Sequence, residues 1–154
     1  MQTSGRTNWK PLAVIPLILL TLVIVNCGKR YVGKTTNFNH PAWHRVKALP
    51  CTGRVSGIGP LDVNFTIERA EAPGAYLVRG QFDPSQGSAK SWARIIPEKS
   101  RFSMLVSSGG MIVDNIRFMV QGESLSRPLP FTFEFTADYE IDAVAFDYSF
   151  WMRG

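Results

Sequence analysis

Acidic residues are missing from the first 61 positions of this 154-residue chain, and histidine is scarce throughout. The first aspartate is Asp62, and the only two histidines, His40 and His44, both lie before residue 50. The lack of an imidazole in the later two thirds argues against a Ser-His-Asp or Cys-His centre there. Two cysteines, Cys27 and Cys51, have neither the close spacing of a zinc site nor that of a dithiol redox motif. There is no Gly-x-Ser-x-Gly elbow, and after residue 50 no Gly-x-x-x-x-Gly-Lys loop ending in Ser or Thr. After residue 50 no stretch keeps an amphipathic helical period for ten residues or more. The chain therefore reads as a non-enzyme, with no cofactor and no metal.

Among the features present, the strongest is a run from Pro11 to Val25 that is apolar except for Thr21, preceded by Arg6 and Lys10 and closed by Asn26-Cys27-Gly28. Its length suits a signal-peptide core and falls short of the ~20 apolar residues a spanning helix needs. At Ile24-Val25-Asn26-Cys27 the chain resembles the lipobox of bacterial lipoproteins, with Asn26 where that pattern has a small residue. The resemblance implies cleavage just before Cys27, whose sulfur would carry diacylglycerol, so that residues 1–26 are a signal peptide. It further implies a cell-envelope location. Gly28 in place of an aspartate after the cysteine implies the outer membrane, facing the periplasm, if the host has two membranes. Two other readings stay open. One is an uncleaved anchor helix over about Leu12 to Cys27, against which Pro16 and the short length count. The other is cleavage by the general signal peptidase, leaving Cys27 to pair with Cys51 in an oxidising compartment.

The net charge of +5 is unevenly placed. Eight cations precede Asp62 without compensation, and nine cations against twelve acids follow it, so the high isoelectric point belongs to the N-terminal part. Residues 27–50 read as a basic tether and 51–154 as a mildly acidic β domain. Nucleic-acid binding does not follow. Beside a lipid anchor, Lys29, Arg30 and Lys34 would be drawn to anionic headgroups, each contributing on the order of 1 kcal/mol near the surface. A solvated linker without a partner is the alternative. Within the tether, Phe38, Trp43, Val46 and Leu49 could begin packing on the domain, and Pro41 to Val46 suits a short helical turn. His40 and His44 would share a face of that turn, but no third metal ligand lies nearby in sequence.

From Thr52 onward the dominant period is two, clearest at Leu61 to Glu68, Phe131 to Asp138 and Phe146 to Phe150. Weaker versions run over Thr52 to Ile58, Ala75 to Phe82, Trp92 to Ile96, Phe102 to Val106 and Met111 to Val120. Turn residues separate them at Gly57 to Pro60, Ala72-Pro73-Gly74, Asp83 to Ser88 and Ser108-Gly109-Gly110. About eight short strands joined by consecutive hairpins predict an all-β fold, an antiparallel sandwich or small barrel. Phe65, Phe82, Phe102, Phe118, Phe131, Phe133, Phe135, Phe146, Tyr148 and Phe150 are the predicted core.

Glu134, Asp138, Glu140, Asp142 and Asp147 gather near the end of the chain, where paired carboxylates could serve a glycosidase or present oxygens to calcium. Parity places Glu134 and Asp138 on the wet side of their strand, which argues for a solvated acidic hairpin. Trp92, Tyr139 and Trp151 are the aromatics expected to reach the surface, where they could meet a sugar or a partner's apolar segment. The sequence thus predicts a lipid-anchored envelope protein whose sandwich is a binding or assembly module partnered with another envelope protein. The competing expectation is a lipid-anchored hydrolase of cell-wall or surface glycans.

Overall fold

Strict alternation at Leu61 to Glu68 puts Leu61, Val63, Phe65 and Ile67 on one face, and in the computed structural model all four are buried. The structure describes residues 31–55, 61–84, 92–122 and 128–152. Eight strands run in the order β1 (Trp43–Arg45), β2 (Cys51–Val55), β3 (Leu61–Arg69), β4 (Ala75–Pro84), β5 (Arg101–Ser108), β6 (Met111–Phe118), β7 (Leu129–Thr136) and β8 (Ala143–Ser149). They form two antiparallel sheets of four, β1-β8-β5-β6 and β2-β3-β4-β7, which share no strand. The fold is the all-β sandwich expected from the period.

Phe82 is the hub between the sheets. Its ring lies 5.0 to 6.1 Å from those of Phe102, Phe118, Phe131, Phe146 and Tyr148, drawing residues of both sheets into one aromatic cluster. Each fully buried ring removes enough apolar surface to contribute roughly 1.5–3 kcal/mol. Phe133, Phe135, Tyr148 and Phe150 are half-buried and pack against this core. Two glycines make room for rings: Gly80 on β4 lies against Phe131, and Gly53 on β2 lies under His44, so any side chain there would collide. Gly109 and Gly110 both have positive φ (58° and 77°), the requirement for the tight turn joining β5 to β6.

Several sequence expectations are corrected. Pro41 to Val46 holds no helical turn; it contains β1, which pairs with β8 through Trp43–Ala145, His44–Val144 and Arg45–Ala143. His44 sits edge-on to Phe65 at 5.3 Å, and that packing favours the strand. Trp92 to Ile96 is not a strand: Trp92 and Ile95 are buried from a turn that leads to the 3-10 segment Pro97–Lys99. Consecutive hairpins hold for β2-β3-β4 and β5-β6, whereas β4 to β5, β6 to β7 and β7 to β8 all change sheets. The acidic stretch 138–142 is accordingly an inter-sheet crossing and not a hairpin. Of the expected tether, residues 31–50 belong to the same compact unit as the sandwich.

Candidate functional site

A strand covered on one face alternates, but β5 reads Met104-Leu105-Val106 and β8 reads Ala143-Val144-Ala145-Phe146, with all seven residues buried. Unbroken apolar runs mean that both faces are covered. On the outer face the cover is a strap made by residues 31–42. It first runs along β6, where Gly33 N–H donates to the Ile112 carbonyl at 2.8 Å, Ile112 N–H to Lys34 at 2.9 Å and Thr36 N–H to Gly110 at 2.8 Å. A buried hydroxyl pair, Thr36 Oγ1 and Ser107 Oγ at 2.8 Å, then pins it to the sheet. The strap turns through Asn37 to Ala42 and enters the sheet at its other edge as β1.

Beneath the strap lies a second apolar cluster separate from the sandwich core. Leu105, Ile112 and Ala145 are its buried floor, and Tyr31 and Trp43 pack against it half-buried. The cluster is not filled. A groove of about 330 Å³ remains, lined by Tyr31, Thr35, Asn37, His40, Ala42 and Trp43 from the strap side and by Leu105, Ile112, Ala145, Phe146 and Asp147 from the sheet. His40 Nδ1 accepts the Ala42 N–H at 3.2 Å, so the neutral ring carries its proton on Nε2 as a donor. An apolar concavity with a few polar groups at its rim suits one or two apolar side chains of a partner, or a small apolar ligand.

A comparison with known proteins adds nothing to this geometry. No protein-family model, no curated protein and no solved structure matches the chain.

A second hollow, about 470 Å³, opens at the end of the sandwich among Lys47, Leu49, Arg69, Tyr76, Glu140 and Asp142. It is more polar, and two of its charged residues, Asp142 and Arg69, make contacts within the fold. Asp142 Oδ2 accepts the Gly110 N–H at 2.8 Å, while the Asp142 backbone accepts from Val46 and donates to Ser107. Its carboxylate thus braces the β5–β6 turn. Asp142 Oδ1 is enclosed and has no partner among the described residues. The Arg69 guanidinium lies over the Tyr76 ring at 5.6 Å.

The residues singled out from sequence are widely dispersed. Cys27, Lys29 and Arg30 lie outside the described residues, as do the apolar run and the turn at 57–60. Lys34 is exposed, its ammonium 5.7 Å from the Tyr31 ring centroid. Glu134, Asp138 and Glu140 are exposed; Asp142 and Asp147 are half-buried and line different hollows. His40 belongs to the strap turn and His44 to the inter-sheet contact with Phe65. Among the described residues no three His, Cys, Asp or Glu side chains gather where a metal ion could be held. Of the aromatics expected at the surface, Trp151 is exposed, Tyr139 is half-buried and Trp92 is buried. Burial pushes the Cys51 thiol up, and Cys51 has no disulfide partner among the described residues.

Sequence reading missed the groove, although a signal for it exists. Leu105 and Ala145 have the wrong parity for the core, and a strand that is apolar at both parities calls for a second cover.

Proposed function

We propose that this chain is a lipid-anchored protein of the bacterial cell envelope, held by a diacylglycerol on Cys27, and that its sandwich binds an apolar segment of another envelope protein. The observation that supports a binding role is the unfilled apolar groove between the strap and the outer face of β5 and β8. A strap that served only to shield the sheet would be expected to close over Leu105 and Ala145, leaving no space of 330 Å³. The basic residues Arg6 and Lys10, the apolar run and Cys27 support the anchor. An anchor of this kind raises the local concentration of a module at the membrane, which favours an accessory subunit with modest intrinsic affinity.

Intact mass spectrometry of the membrane-extracted protein, beside Cys27→Ala, tests the anchor: a mature chain starting at Cys27 with acyl mass, lost in the variant, is expected. For the groove, a photo-cross-linker at Asn37 is expected to capture one envelope protein reproducibly. Filling the floor with Ala145→Phe should abolish that cross-link while leaving the thermal midpoint within a few degrees. An unacylated Met1 start defeats the anchor, and a cross-link insensitive to Ala145→Phe defeats the groove.

A further inference from the structure

On the far end of the first sheet from the β5–β6 turn, Trp151 and Met152 are 58% and 65% exposed, an unusual state for two large apolar side chains in sequence. Their backbone is held firmly. Ile96 N–H donates to the Trp151 carbonyl at 2.9 Å, and Trp151 N–H donates to Ser100 Oγ at 3.1 Å. That hydroxyl in turn donates to the Ile96 carbonyl at 2.8 Å, and Ile95 bridges Met152. The neighbouring Phe150 turns inward, edge-on to buried Trp92 at 6.0 Å, which leaves Trp151 on the outer side. Exposure here does not come from a loose tail.

Around these side chains positive charge predominates. Lys99 and Arg101 join Ser149, Phe150 and Trp151 in lining an open hollow of about 600 Å³. Across residues 92–101 and 149–152 the cations are Arg94, Lys99 and Arg101, and Glu98 is the single acid. An indole with a polar N–H and an apolar body is the side chain best suited to a headgroup boundary, and a thioether can follow it into the acyl region. Cations beside it meet lipid phosphates, a pairing that the acidic charge elsewhere in the domain does not offer.

We infer that the Trp151–Met152 surface, with Lys99 and Arg101, is a membrane-docking face that seats on anionic phospholipid. The shared ligand chemistry is a phosphate monoanion flanked by apolar surface, and the bilayer is its source. This rests on the membrane location proposed above and adds an orientation: the sandwich lies against the membrane at this end, leaving it as a second contact besides the anchor.

The test uses the full chain reconstituted in vesicles containing brominated phosphatidylcholine, with and without about 30% phosphatidylglycerol. Trp151→Phe isolates the fluorescence of Trp151 from that of the other tryptophans by difference. Trp151 emission is expected to be quenched in the anionic vesicles, and Lys99→Glu/Arg101→Glu is expected to reduce that quenching at least severalfold, since each cation near the surface changes partitioning by roughly fivefold. Near-ultraviolet circular dichroism of the variants checks that the fold is kept. Unquenched Trp151 overturns the inference. So does quenching that ignores both the anionic lipid and the charge reversal, and so does saturable binding of soluble glycerol 3-phosphate with Trp151 unquenched in vesicles, which would make the hollow a site for a free anion. Intact mass of the same sample separates the two ideas: acylated protein with unquenched Trp151 refutes the docking face alone, and unacylated protein with quenched Trp151 refutes the anchor alone.

Discussion

The hydroxyl pair under the strap gives the sharpest test of how the groove is held. Ser107 has no exposed surface and Thr36 is 7% exposed, so neither hydroxyl can turn to water when its partner is removed. Thr36→Val keeps the shape and strands Ser107 Oγ, at a cost of about 1–3 kcal/mol; Ser107→Ala strands Thr36 Oγ1 at the lower end of that range. The double substitution leaves no orphan, so it should cost little more than the net worth of one neutral hydrogen bond, about 1 kcal/mol. The expected coupling is therefore about 2 kcal/mol, with the double variant no less stable than Thr36→Val. For a unit of this size about 1 kcal/mol lowers the thermal midpoint by roughly 4 °C, so Thr36→Val should melt some 8 °C below the parent chain by circular dichroism. Hydrogen exchange should localise the effect. The Gly33, Thr36 and Ile112 amides, which bond between strap and β6, should lose protection in Thr36→Val well before amides of β3 and β4. Strictly additive losses in the double variant would refute the argument, as would equal loss of protection across both sheets.

Two further outcomes follow from the sandwich itself. Gly80→Ala should destabilise by about 2–3 kcal/mol, because the new Cβ would meet the Asn64 carbonyl oxygen and lie 2.6 Å from Phe131 Cζ; an unchanged urea midpoint would contradict that packing. Burial, with the Asp114 carboxylate second, pushes the Tyr139 phenol up, and burial also pushes up Tyr148, both from 10.0. The folded protein then holds these protons more tightly than the unfolded chain, so their stabilisation is complete below about pH 10 and is lost as pH rises above it. Urea midpoints between about pH 8 and pH 11 should fall steeply for the parent chain and less steeply for Tyr139→Phe, and parallel declines would refute the assignment.

What was legible in the sequence was the covered face of each strand. Alternation in β3 and β7 places Ile67, Phe131 and their neighbours inward with no need to know their partners, since the pleat sets the period. Parity does not say which strand lies alongside, so the sheet changes after β4, β6 and β7 could not be read. Trp92 and Ile95 imitated a strand because a turn can bury apolar residues two or three apart just as a strand can. β1 escaped notice because three residues are too few to show a period, and the register with Val144 that makes it a strand lies at the other end of the chain. The groove was hidden for the same reason, since its floor and roof come from separate segments. Trp151 was the exception: its exposure was anticipated, and its cationic surroundings appeared only when 99–101 and 149–151 were brought together.

The pairing of β1 with β8 joins residues some hundred positions apart, Trp43 to Ala145. Loop-closure entropy makes such contacts late, so the meander β2-β3-β4 can form while the first sheet still lacks its central strand. A chain crossing a membrane N-terminus first would carry β1 without a strand to pair with until β8 had followed. The groove, floored by Ala145 and Phe146 and roofed by residues 31–43, then comes into being only at the last step of folding. A partner that reads this groove would distinguish finished molecules from unfinished ones, and assembly would wait on completed folding without a separate checkpoint.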